Sequence, residues 1–180
     1  AKVLFGNYVV NPTIDGWLKR CKTEAPLFKP KSWKLFPVGD PLSVSGKPWS
    51  LDDEKLMYPF YELAMQLGIK TICVHKGLTP KNYESQHPLN WKAANVDDLP
   101  KVAKDWPELK FVIFHSALRP FASDNCDEEL RSFRDKNYIR WTTDLIRISQ
   151  EEDLKNIYAE LGTSFASSCI SNPEFCAAFM

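Results

Sequence analysis

Ile69-Lys70-Thr71-Ile72-Cys73-Val74-His75 is a short apolar run that ends on a histidine, and Phe111-Val112-Ile113-Phe114-His115 repeats the form further along. Both are rich in β-branched and aromatic side chains and are bounded by turn formers such as Gly68, Gly77 and Pro107, so both read as strands. Neither alternates strictly between apolar and polar residues. Continuous apolar runs belong to strands covered on both faces, as in parallel sheets. The stretch between the two runs leaves room for one crossover helix.

Working outward, three more strands are expected. Val3-Leu4-Phe5 followed by Tyr8-Val9-Val10 is the first, Trp33-Lys34-Leu35-Phe36 the second, and Asn156-Ile157-Tyr158-Ala159-Glu160-Leu161 the last. Helices are expected over 51–67, 95–105, 138–148 and 173–179. In the first, Leu56, Phe60, Leu63, Ala64 and Leu67 share a face, Gly68 stops it, and Pro59 implies a kink. In the second, Asn95 is the expected N-cap. Loops over 38–50 and 77–95 each follow a strand and precede a helix, the place where long loops serve a site. Strand–helix–strand repetition predicts an α/β protein with a parallel sheet.

The bulk properties narrow the function. The chain has 180 residues, with 44% hydrophobic and 26% charged residues, the balance of a globular protein. Lys+Arg and Asp+Glu are both 23, so there is no basic excess of the kind that tracks phosphates, and no nucleic-acid partner is expected. No apolar run approaches the ~20 residues that span a bilayer, so no membrane partner is expected either. Five cysteines stand at wide spacings with no CxxC pair, which reads as free thiols in a reducing compartment and hence a cytoplasmic protein.

The histidines carry the chemistry. In parallel α/β sheets ligands bind beyond the carboxyl ends of the strands. His75 and His115 end neighbouring candidate strands, so both imidazoles stand on that rim. There they can share a divalent metal, or one can bind metal while the other handles a water proton. By strand parity, Thr71 and Cys73 point with His75, Ile72 and Val74 face the helices, and Phe111 and Ile113 point with His115. Lys34 interrupts an apolar strand and is a candidate contact for a substrate anion. Glu160 ends the last strand on the same rim. His87, beside Pro88, reads as a loop residue, and Lys76 has the wrong parity for a direct role. GxGxxG, Walker A, GxSxG and HExxH sequences do not occur.

The segments around Leu51-Asp52-Asp53-Glu54, Leu67 through Gly77 and Pro107 through His115 resemble the amidohydrolase-related (amidohydrolase 2) family, the aminocarboxymuconate-semialdehyde decarboxylase type. The resemblance implies a (β/α)₈ barrel with a catalytic divalent metal, commonly zinc. It assigns His75 to the fifth strand as a metal ligand and His115 to the sixth, as a second ligand or the holder of the activated water. The first expected strand then corresponds to barrel strand three and the last to strand seven. The family's HxH pair and its eighth-strand Asp have no counterpart in this sequence. The chain therefore reads as one incomplete barrel domain over 1–180, with at most two of four metal ligands and with two open sheet edges that invite self-association, and a homo-oligomer is the expectation for the parent protein.

Three functions follow as expectations. The first is a metal-dependent hydrolase in which activated water attacks a small carboxylated or cyclic substrate, with His75 and His115 at the metal and His115 and Lys34 acting in catalysis. The second is non-oxidative decarboxylation at the same site. The third is a catalytically inactive fragment or binding module that keeps the histidines as relics.

Overall fold

The structure is a computed structural model that describes residues 6–39, 47–121 and 126–180. Five strands form one parallel sheet: β1 (Asn7–Val10), β2 (Ser32–Leu35), β3 (Thr71–His75), β4 (Lys110–Phe114) and β5 (Ile157–Ala159). They lie in chain order, β1-β2-β3-β4-β5. Between them run α1 (Trp17–Phe28), α2 (Glu54–Gln66), α3 (Tyr83–Gln86), α4 (Pro88–Ala94), α5 (Leu99–Asp105), α6 (Asp127–Lys136) and α7 (Thr142–Glu151). Beyond β5 come α8 (Gly162–Ser171) and α9 (Pro173–Phe179). Among the described residues no helix is long and apolar enough to cross a membrane.

The strand order has a geometric consequence. Each crossover joins a strand to its immediate parallel neighbour, and such crossovers are right-handed. Crossovers of one hand that always step in one direction put their helices on one face of the sheet. Burial agrees. Trp33, Leu35, Ile72, Val74, Phe111 and Ile113 are all fully buried on one side. They meet α2: Trp33 packs edge-on against Phe60 with ring centroids 5.1 Å apart, and Tyr61 meets Phe111 at 5.9 Å. Leu99, Val102 and Leu145 join the same core from α5 and α7. Burying one such aromatic removes on the order of 200 Å² from water, worth roughly 5 kcal/mol before chain entropy is counted. A smaller core of Leu118, Leu130, Ile139, Phe175 and Phe179 ties α6 and α9 together. The opposite face of the sheet carries Val9, Lys34, Cys73, His75, Val112, Phe114 and Tyr158, and its ends at β1 and β5 leave Val9 and Tyr158 exposed.

Several local expectations need correction. The first strand runs over Asn7–Val10, and Val3-Leu4-Phe5 lies outside the described residues. Helix α2 passes through Pro59 because Met57, Phe60, Tyr61, Leu63 and Ala64 are buried along it, which outweighs one lost backbone hydrogen bond. Its N-cap is Asp53, which accepts from the Leu56 N–H at 3.0 Å. The helix expected from Asn95 starts instead at Leu99. The stretch expected as a long loop over 77–95 holds α3 and α4. Helices α1, α6 and α8 were not legible in the sequence: α6 buries only Glu129 and Leu130, and α8 only Ser164 and Ser168.

Candidate functional site

The site is built at the carboxyl ends of β2, β3 and β4. Ile72 and Val74 are fully buried toward the helices, so Thr71, Cys73 and His75 take the other face, as parity predicts. The His75 ring lies 5.0 Å from the His115 ring, at 71° between planes. Phe36, just past β2, stacks on His75 with centroids 5.4 Å apart. Lys34 sits on the same face, level with Cys73 in the register. Its Nζ stands 3.3 Å from the centre of the Phe114 ring and 4.8 Å from that of Phe36.

The parity expected for His115 is wrong, and the reason is instructive. Phe111 and Ile113 face the helices, and the register pairs His75 with Phe114. A strand continued through His115 would send that ring to the helix side as well. Instead the chain leaves the strand. His115, Ser116 and Ala117 have φ of 62°, 48° and 54°, three consecutive left-handed residues, none of them glycine. Each costs roughly 1–2 kcal/mol. The turn is held by its surroundings: Ser116 N–H donates to the Glu160 carbonyl at 2.8 Å, Leu78 N–H to the Leu118 carbonyl at 2.7 Å, and Thr79 N–H to the Arg119 carbonyl at 2.8 Å. Arg119 is in turn anchored by a buried ion pair with Glu129. Strain that a structure over-determines in this way marks places where geometry matters more than stability.

Glu160 supports the turn twice. Its carbonyl takes the Ser116 N–H, and its carboxylate accepts from the His115 N–H at 3.3 Å. His87 lies elsewhere, half-buried against Tyr83 at the start of α4. Lys76 turns away from the site: it is fully buried and donates to both oxygens of Asp98, at 2.8 and 2.9 Å, and to the Ala93 carbonyl at 2.8 Å. Sequence reasoning gave this pair no role. Its one visible cue is a lysine set between the apolar end of a strand and Gly77.

Burial sets the electrostatics. It pushes His75 down to about 3, helped by the neighbouring His115 and the Lys34 and Lys76 charges, against a hydrogen bond to the Gly77 backbone. Burial also lowers His115, with Lys34 adding to it and Glu160 opposing. Lys34 is pushed down by burial to about 8, against the pull of Cys73 and Glu160. Both imidazoles are therefore neutral at pH 7, the form that ligates metal or accepts a proton. Two buried atoms here have no hydrogen-bond partner among the described residues: Lys34 Nζ and His115 Nδ1. Buried polar atoms are almost always paired, so unpaired ones carry information.

These shifts predict a pH dependence. Unfolded His75 takes up its proton near 6.5, but the folded ring resists until about 3. The unfolded chain then binds more protons in that window, so stability is full above about 6.5 and falls as pH drops toward 3. His115 acts in the same direction. By NMR, the His75 ring protons should show no titration step between pH 5 and 8. A step centred near 6.5 would mean that water reaches the ring and that His75 is not buried against His115 and Phe36.

A cleft of about 460 Å³ opens beside His75 and Phe36, with Trp49, Leu78, Tyr83 and Phe121 among its other walls, while Lys34 and His115 lie behind that lining. That is the size of a small-molecule pocket. A larger cleft, about 550 Å³, is lined by Trp49, Asp52, Lys92, Asp97 and Asp98 and touches neither histidine. Asp98 is already engaged by Lys76, the Leu51 N–H and Ser50. Among the described residues, no group of three or more His, Cys, Asp or Glu is placed to hold a metal ion. The chain matches no protein-family model, no curated protein and no solved structure.

Proposed function

We propose that the chain forms strands of a (β/α)₈-type barrel and carries part of a metal-dependent hydrolase site for a small carboxylated or cyclic substrate. Five parallel strands in chain order, with their helices on one face, support the barrel reading. One observation carries the functional reading: two neutral imidazoles whose rings lie 5.0 Å apart on adjacent strand ends, one of them with a buried, unpartnered Nδ1.

The two rings suit two positions of a tetrahedral zinc site, and the described residues provide no third donor. His75 would hold the ion, with His115 as a second ligand or as the proton acceptor at Nδ1. Bound zinc supplies Lewis acidity and a lowered pKa for water. Glu160 fixes the His115 turn. Lys34, desolvated between Phe36 and Phe114, would meet the anionic group of the substrate, and an unpaired buried amine gains most from such a partner. Non-oxidative decarboxylation would use the same residues, with the carboxylate that Lys34 meets as the group lost.

The test is calorimetric titration of the protein with Zn²⁺. With two ligands of four, one equivalent should bind far more weakly than at a complete four-ligand site, and His75→Ala should abolish it. His115→Ala separates its two roles: loss of binding makes it a ligand, and retained binding makes it the proton acceptor. Lys34→Met should leave metal binding intact while weakening a carboxylate ligand tenfold or more. A folded protein that binds no Zn²⁺, or a His75→Ala variant that binds it unchanged, overturns the metal reading in favour of a non-catalytic α/β module.

A further inference from the structure

We propose that Cys169 and Cys176 form a redox-active dithiol, which a small disulfide such as oxidised glutathione converts to an intrachain disulfide that staples α8 to α9. The sulfurs stand 2.9 Å apart, on helices that meet at Asn172. A bonded pair stands about 2.05 Å apart, so they need to close by roughly 0.9 Å. The break between the helices is itself well fixed. Asn172 Oδ1 caps α9 by accepting from the Phe175 N–H at 2.9 Å, and Pro173 opens the helix. The two thiols differ in access: Cys169 is exposed and Cys176 is buried, whereas Cys21, Cys73 and Cys126 are all buried.

That difference assigns the order of events. The Cys169 thiolate attacks one sulfur of the glutathione disulfide. The S–S bond breaks and one glutathione leaves as thiolate. Cys176, having lost its proton, then attacks Cys169 Sγ and expels the second glutathione. Two protein thiols are oxidised, one disulfide is reduced to two thiols, and the two protons pass to the departing glutathiones. The hydrogen bond with the Cys176 sulfur holds the Cys169 thiol above its ordinary value, so the reaction quickens as pH rises. The staple has a reach beyond its own hairpin, because α8 backs the strained turn: Ser164 Oγ donates to the His115 carbonyl at 3.4 Å. This inference does not depend on the function proposed above.

The experiment treats the protein with oxidised glutathione at mildly alkaline pH and counts thiols after denaturation. The five cysteines should fall to three free thiols and return to five on reduction. Mass spectrometry should find the tryptic peptide 156–180, which holds Cys169 and Cys176 and no other cysteine, lighter by two hydrogens. Oxidised protein should melt roughly 5–10 °C higher. Cys169→Ser, an exposed and tolerant position, should lose no thiols. Five thiols remaining in the treated protein, a lasting glutathione adduct on Cys169, a disulfide mapped elsewhere, or two thiols lost in Cys169→Ser would each overturn the proposal.

Discussion

Asp98→Ala should lower folding stability by about 3–5 kcal/mol, enough to remove a large part of what holds a domain of this size. The Lys76 side chain is completely inaccessible, and its ammonium group is satisfied by three acceptors, two of them the Asp98 oxygens. Removing the carboxylate leaves a cation in the core with one carbonyl. It also strands the Leu51 N–H, which donates to Asp98 at 2.9 Å. Lys76→Met is the informative contrast. It keeps the volume and leaves Asp98 with the Leu51 N–H and Ser50, so it should cost distinctly less. The double variant should recover much of the loss, because a buried pair replaced by apolar groups is often close to neutral. Urea denaturation of the four proteins measures this. A loss below about 1 kcal/mol for Asp98→Ala would mean that water reaches the pair.

Gly77→Ala should cost about 2–5 kcal/mol and disturb the site as well. Gly77 has φ +73°, and a Cβ there would stand 2.2 Å from the Leu118 carbonyl oxygen and 2.6 Å from the Ala117 carbonyl carbon. Both are backbone atoms, so no rotamer change relieves the clash. The segment that must move is the left-handed turn that returns His115 to His75. Gly68 supplies the control. Its φ is +68°, yet a Cβ there meets nothing within 4 Å. Gly68→Ala should therefore cost only the conformational term, about 1–2 kcal/mol. The excess at Gly77, together with altered His115 ring resonances in that variant alone, reports the contact between the two rim segments. Equal costs at the two glycines would remove it.

Much of the frame was open to inspection in the sequence. The run Thr71-Ile72-Cys73-Val74-His75 reads as a buried parallel strand, and it is one. The order of apolar runs and intervening helices implied a parallel α/β sheet. The strand ends placed His75, Lys34 and Glu160 on one rim. The orientation of His115 was not readable. Parity carried past Phe114 points its ring to the wrong face, because parity holds only while the backbone stays extended. Nor was the destination of Lys76, or the loss of Asn95 as a helix cap.

The division has a physical cause. Strand and helix identity depend on the spacing of apolar residues over a few positions, which is local information that the amino-acid order contains outright. By itself, then, the sequence determined the α/β class, the parallel strands and the histidines at their ends. The left-handed turn at His115, Ser116 and Ala117 costs free energy locally. It persists only because Glu160, Leu78 and Thr79, each distant in the chain, hold it with hydrogen bonds. The Lys76–Asp98 pair likewise exists only where folding has excluded water. Tertiary structure alone decided those two features, and with them the 5.0 Å approach of the two imidazoles.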